Sequence, residues 1–322
     1  MADIGRSMPA VTRERVLDRQ RDDPSPVPHS QSQDVRRLTG VAAALGAVLI
    51  WGLTFVPGKI ALAEMGPFTL AVIRFCLALA VLLPLAYRDR PADLGRLPWR
   101  TLAVLGLTGV ALYFGLQNLG LARTSATDAG LISGSVPAVT AARSAIVLKE
   151  RLGPLRVLGI GGSIAGVAVM VLNSASGGES SLEGDLLLLG APLAWAVYTL
   201  LNKRIGGTTS ESLLLVITMA FGILFLSPGA LFEVATAGFG PVTLSGWISV
   251  LFLGLAGSAG SFICWNAALR RLAAAEASTY INLVPMVSVV AAALMLGEHL
   301  ALPQILGGAL VVLGVYLAGR VQ

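Results

Sequence analysis

Residues 125–150 read SATDAGLISGSVPAVTAARSAIVLKE, and residues 273–298 read AAAEASTYINLVPMVSVVAAALMLGE. Set one above the other, 148 residues apart, they pair Asp128 with Glu276, Pro137 with Pro285 and Glu150 with Glu298. The register extends upstream, where Asn118 pairs with Asn266 and Arg123 with Arg271. Each stretch reads as an apolar helix with a proline in its middle and a glutamate thirteen residues further on, then a glycine-rich apolar helix. In a repeat of this size each copy buries its polar face against the other. Function is therefore expected where the two copies meet.

Composition puts this repeat in a bilayer. Of 322 residues, 55% are hydrophobic and 13% charged, against about 25% charged in soluble domains, and mean hydropathy is +0.78. Residues 1–37 alone hold 7 of the 23 Lys+Arg and 6 of the 18 Asp+Glu. That polar, aperiodic segment reads as a disordered cytoplasmic tail. It lacks the apolar core of a signal peptide, which leaves insertion to the first hydrophobic helix. The pI of about 9.6 reflects basic cytoplasmic loops rather than a nucleic-acid partner. Cys76 and Cys264 lie in apolar segments without metal-binding spacing and read as small buried side chains. No metal or cofactor is expected.

Crossing the hydrocarbon core takes about 20 apolar residues. The chain offers ten such spans, at 39–58, 67–87, 101–121, 125–148, 154–173, 184–203, 212–232, 245–265, 274–296 and 303–319. With a cytoplasmic N-terminus, the inside connections carry fourteen Lys and Arg, among them Arg88, Arg90, Arg96, Arg100, Arg270 and Arg271. The outside carries two, Lys59 and Arg123. This asymmetry sets both termini inside. Five spans per half is odd, so the second half enters from the opposite side. The expected fold is an all-α integral membrane protein of ten transmembrane helices, as two inverted five-helix repeats at 38–174 and 183–320.

Several segments together resemble the EamA-type transporters of the drug/metabolite transporter superfamily. They are WGLTF (51–55), AVIRF (71–75), TSATDAGLISGSVPAV (124–139), LKERLGPLRVLG (148–159), GDLLLLGAPLAWAVYTLLNKR (184–204) and ASTYINLVPMVSVVAAALMLGEHL (277–300). Their order, spacing and duplication carry the resemblance, which spans residues 39–319. It implies ten helices in two inverted halves and gradient-coupled export or exchange of small polar metabolites. Arg143 within the fourth span and His299 after the second glutamate depart from the family pattern.

Polar groups inside spans are costly, so each marks a pathway candidate. Trp51 and Thr54 share a helix face, and Trp195 and Tyr198 repeat that spacing in the sixth span, as paired walls of a cavity or as packing aromatics. Gln117 and Asn118 match Trp265 and Asn266, as pathway groups or as hydrogen-bonding glue between helices. Ser133, Ser135, Tyr280 and Asn282 precede Pro137 and Pro285, which read as hinges that free backbone carbonyls. Asp128, Glu276 and Arg74 are coupling candidates, against a capping role for Asp128 after Ser125. Arg74 lies about 10 Å deep, at 1.5 Å per residue; it could bind an anionic group, but snorkelling to the interface is the preferred reading. Glu150 and Glu298 read as pins between halves. Gly162, Gly166, Gly307 and Gly308 give small-residue faces by which the fifth and tenth spans pack on each other or on a second copy in a homodimer.

The resulting expectation is a secondary transporter in the plasma (inner) membrane, exporting or exchanging an amino acid or related metabolite by alternating access. A multidrug or lipophilic-cation exporter is the alternative. An integral-membrane enzyme or a non-transporting scaffold belongs to a different class. The chain holds two histidines, His29 and His299, with no metalloprotease, serine-elbow or nucleotide-loop motif for enzymatic or pump chemistry. The partners expected are the lipid bilayer and a small-molecule substrate.

Overall fold

A bilayer offers no water to backbone N–H and C=O groups, so a spanning chain closes its hydrogen bonds within helices. The computed structural model describes residues 29–88, 97–148, 153–175, 181–205, 210–238 and 240–319. Helices joined by short turns account for them, with no strand among the described residues. Nine helical segments among them are long and apolar enough to cross a membrane.

The first span is α1 (His29–Leu53) continued by α2 (Phe55–Leu62), and the second is α3 (Pro67–Arg88). The third joins α4 (Trp99–Gly106) to α5 (Tyr113–Arg123) through a π-helical stretch at Leu107–Leu112. A broken pair follows, α6 (Ala126–Ser133) and α7 (Val136–Leu148), then α8 (Pro154–Ala175), α9 (Leu182–Ile205) and α10 (Glu211–Ala237). The next span joins α11 (Leu244–Leu251) to α12 (Ser261–Leu269) through a second π-helical stretch at Phe252–Gly260. A second broken pair, α13 (Ala274–Ile281) and α14 (Val284–Leu296), precedes α15 (Leu302–Gly319).

Three expectations are corrected. The expected fourth span, 125–148, is two helices of 8 and 13 residues, its apolar run diluted by Ser133, Ser135, Thr140 and Arg143. The prolines do not bend the middle of a helix. The chain opens at Gly134–Ser135 and at Asn282–Leu283, and Pro137 and Pro285 each stand second in the helix that follows. A first turn needs no N–H from that residue and suits its fixed φ, so proline starts the second helix. Third, residues 29–37, read as the end of a disordered tail, are helical, because α1 runs on past its apolar stretch to His29. Residues 1–28, and Lys149, Glu150 and Arg151, lie outside the described residues.

Packing joins early helices to late ones. α3 lies on α10, α8 on α15, α6 on α14, α5 on α9 and α1 on α12. The α8–α15 contact is backbone to backbone: Gly159 meets Gly314 and Ala318, and Gly166 meets Gly307 and Val311. This is the small-residue contact expected of the fifth and tenth spans, made within one chain. One apolar core gathers Phe75, Leu102, Leu105, Met219 and Leu226; another gathers Phe55, Val56, Ile132, Met170 and Val311. Cys76 is exposed and Cys264 half-buried, not the buried pair expected. A helix that is apolar all round carries no sign of which face meets lipid.

Candidate functional site

Arg74 is buried where the second span meets the eighth. It does not snorkel: the residue is 6% exposed, and its Nε donates to Ser258 Oγ at 2.6 Å. Ser258 belongs to the second π-helical stretch, and its hydroxyl donates to Leu253 O at 2.9 Å. The guanidinium carbon lies 4.6 Å from the Phe114 ring centroid and 5.5 Å from that of Phe75. Both π-helical stretches fall at matched places in the third and eighth spans, and such distortions concentrate at functional sites.

Two aromatic groups belong to the same region of the chain's packing. Trp51 packs edge-on to Phe262 at 6.0 Å and against Trp265 at 5.4 Å. Tyr113 joins Phe114, the ring nearest the guanidinium, at 4.8 Å and Trp195 at 5.0 Å, and Trp195 meets Tyr198 at 4.8 Å. The sequence-predicted Trp51 and Trp265 are thus brought together, as are Trp195 and Tyr198. Thr54 turns its hydroxyl onto Trp51 O at 2.6 Å, where α1 gives way to α2. Tyr198 fits because Gly109 presents no side chain to its ring.

The two broken helices meet through α6 and α14. Gly130 of α6 lies against Ser288 of α14, whose hydroxyl donates to Ala126 O at 3.3 Å. A Cβ added at Gly134 would come within 3.0 Å of Pro285 Cγ. Ser133 and Asn282 are half-buried at the two openings, whereas Ser135 is buried and donates to Ile132 O at 2.7 Å. Tyr280 packs against the buried cluster of Ala44, Ala268, Leu272 and Ala277, against which Trp265 also packs.

One end of the bundle is held together by side chains that cap helix termini across long sequence distances. Glu298 accepts from the N–H groups of Ala126 and Thr127 at 2.8 and 2.9 Å, capping α6. Gly297, at φ +68°, makes the turn that precedes it. Glu233 accepts from the N–H groups of Phe68 and Thr69, and Glu64 from that of Thr243. Lys59 does the converse, donating to the carbonyls of Leu121 and Thr124 at the end of α5. Acids at N-termini and a cation at a C-terminus each match the helix dipole. Asp185 is fully buried here and accepts from Thr124 Oγ1 at 2.7 Å and Ser174 Oγ at 2.6 Å. Gln304 donates to Asp128 at 2.9 Å, while Ser125 caps the Asp128 N–H.

The remaining predicted residues lie elsewhere. Asn118 is buried and donates to Pro67 O at 2.9 Å, tying the third span to the start of the second. Gln117 is buried beside it in the chain, and Asn266 is half-buried in α12. Glu276 pairs with Arg37 at 2.9 Å, away from Asp128. Sequence reasoning missed Ser258, Tyr113, Phe114 and Asp185 as parts of these clusters, and read Lys59 only as a loop charge. Glu64 and Glu233 were missed as well, because nothing in the sequence names the helix each one caps.

The chain as a whole is similar to other proteins. A family model described as the EamA-like transporter family matches twice, at residues 38–172 and 182–320. A protein of Archaeoglobus fulgidus named as an uncharacterized transporter is 32% identical over 280 residues, covering 85% of this chain and 95% of its own. A Salmonella typhimurium protein named "Probable amino-acid metabolite efflux pump" is 30% identical, over 85% of this chain and 92% of its own. A solved crystal structure shares the fold with a TM-score of 0.60 at 22% identity, covering 88% of this chain and 97% of that one. With two matched stretches that take in nearly the whole membrane region, this multi-pass membrane protein belongs to the EamA-like transporter family and is a transporter, not an enzyme.

Proposed function

We propose that the chain is a secondary transporter of the plasma membrane that exports or exchanges a small organic metabolite of the amino-acid class by alternating access. In this reading there are ten crossings, with α6–α7 and α13–α14 each counted as one broken crossing. The halves, 38–174 and 183–320, are inverted repeats with both termini cytoplasmic. One observation carries the reading: the two broken helices, each opened two residues before a matched proline, meet at Gly130 and Ser288. Discontinuous helices at a repeat interface, near the midplane, are where secondary transporters bind substrate.

The packing supports an exchange of halves. Pairing the second span with the seventh, the fourth with the ninth and the fifth with the tenth maps each contact onto itself, while the third–sixth and first–eighth contacts map onto one another. The count of fourteen against two basic residues supports the orientation. The amino-acid class rests on relatives named as amino-acid exporters, in Salmonella typhimurium and in Streptantibioticus cattleyicolor, the latter a "Probable terminal-alkyne amino-acid exporter" at 29% identity over 87% of this chain and 93% of its own. Arg74 disfavours lipophilic cations, which a buried like charge repels.

We assign Trp51, Thr54, Trp195, Tyr198, Trp265, Tyr280 and Asn282 to the pathway. Asp128 and Glu276, each engaged in end contacts, hold the helices rather than couple ions. The test is an efflux and metabolite-resistance screen in cells with and without the gene, repeated with Trp51→Ala and Asn282→Ala. The reading expects the gene to raise export of at least one amino-acid-class solute and both variants to lower it. Unchanged export in both variants would remove the pathway assignment.

A further inference from the structure

Arg74 is a buried cation that the described residues leave unneutralised. A guanidinium stays protonated in proteins, and an ion taken out of water without a partner costs several kcal/mol. Among the described residues no carboxylate pairs with it, and no hydrogen-bond partner takes either Nη group. Ser258 occupies Nε, and the Phe114 and Phe75 rings offer only their π faces. Beside Nη2 the chain places a glycine: a Cβ at Gly257 would lie 3.7 Å from Nη2 and 2.8 Å from Thr54 Cγ2. A side chain there would fill the approach to the free donors. The fork that carries those donors is the geometry that grips a carboxylate through two parallel N–H···O bonds.

The surroundings say what accompanies the negative charge. Phe114 lies against the guanidinium and joins Tyr113 and Trp195, while Thr54, which faces the same Gly257 gap, donates to Trp51 O, itself part of a residue packed on Phe262 and Trp265. Such walls accept an apolar or aromatic body by dispersion and ring stacking. A single buried guanidinium balances a single negative charge, so a carboxylate suits it and a phosphate dianion leaves one charge unpaired.

Resting on the transporter reading, we infer that Arg74, positioned by Ser258, is the recognition point for a substrate carboxylate, and that the substrate is a monocarboxylate with an apolar or aromatic body. The test is exchange into vesicles holding the purified full-length protein, using acids and their uncharged-end partners: L-phenylalanine with L-phenylalaninamide, L-leucine with L-leucinamide, and 3-phenylpropionate with 3-phenylpropionamide. Wild-type protein should prefer the acids by roughly 10- to 100-fold, as expected for a hydrogen bond to a charged group. Arg74→Gln should erase that preference, and Arg74→Lys should keep it at lower affinity. Should Arg74→Gln lose its thermal unfolding transition, Ser258→Ala serves in its place, with a loss of about threefold or more confined to the acids. Equal exchange of acid and amide by the wild type, or an intact preference in Arg74→Gln, overturns the inference while transport stands. No exchange of any member of the three pairs overturns the transport reading for this substrate class and the inference with it.

Discussion

Single carboxylates decide how the ends of this bundle close. Glu298 satisfies two N–H groups at the start of α6, 172 and 171 residues away in sequence. Glu298→Ala should lower stability by about 1–2 kcal/mol, the cost of losing an N-terminal cap, read as a fall in the thermal unfolding midpoint in detergent. Glu298→Gln keeps an acceptor and should lose less. A midpoint equal to wild type in Glu298→Ala would remove the capping role. Glu298 was legible from its place in the repeat, because a glutamate at a helix end among apolar residues needs a partner. Arg74 was not. Ile73, Phe75 and Cys76 beside it are as apolar as a lipid-facing run, so no periodicity told inward from outward. Asp185 was hidden for a related reason: an acid in a first turn is already explained by the helix dipole, and only the fold brings Thr124 and Ser174 to it.

At the scale of elements, close helix packing and broken helices make different demands. Gly166 and Gly314 lie where an added Cβ would meet backbone of the facing helix, whereas Gly161, in the same helix as Gly166, has open space. Gly166→Ala should therefore destabilise by about 1–3 kcal/mol through overpacking. Gly161→Ala should be neutral or stabilising by up to about 1 kcal/mol through helix propensity. Equal midpoints for the two variants would contradict the α8–α15 contact. Pro137 and Pro285 should behave as helix starters: Pro285→Ala lets α13 run into α14, so transport should fall several-fold while stability changes by less than about 1 kcal/mol. Both prolines were plain in the sequence, but the site of the break was not, since Gly134–Ser135 and Asn282–Leu283 share no residue type. The π-helical stretches were likewise unseen. LTGVAL and FLGLAGSAG read as ordinary apolar helix, and only the fold sets Gly109 of the first against Tyr198 and Gly257 of the second against Arg74.

For the whole molecule, hydropathy and the 148-residue register made the helical membrane class and the pairing of early with late helices legible before any coordinates. Apart from the fifth and tenth spans, whose glycine faces pointed to each other, the identity of the partners was not, because an apolar stripe does not say which other stripe it meets. Orientation is open to a direct check with Cys76 and Cys264 replaced by Ser. A membrane-impermeant maleimide should label Gly240→Cys in intact cells and Trp99→Cys only after permeabilisation; the reverse pattern would invert the topology. The central claim is that this protein moves a small organic solute between the two sides of a bilayer. Its most direct measurement loads vesicles containing the purified full-length protein with the cell's pool of amino acids and organic acids, and follows release by mass spectrometry with and without a proton gradient. The account predicts that one solute, or a few sharing a carboxylate and an apolar body, leave faster than from protein-free vesicles and that Arg74→Gln abolishes the difference. Release identical to protein-free vesicles for every solute, under either condition, would contradict it.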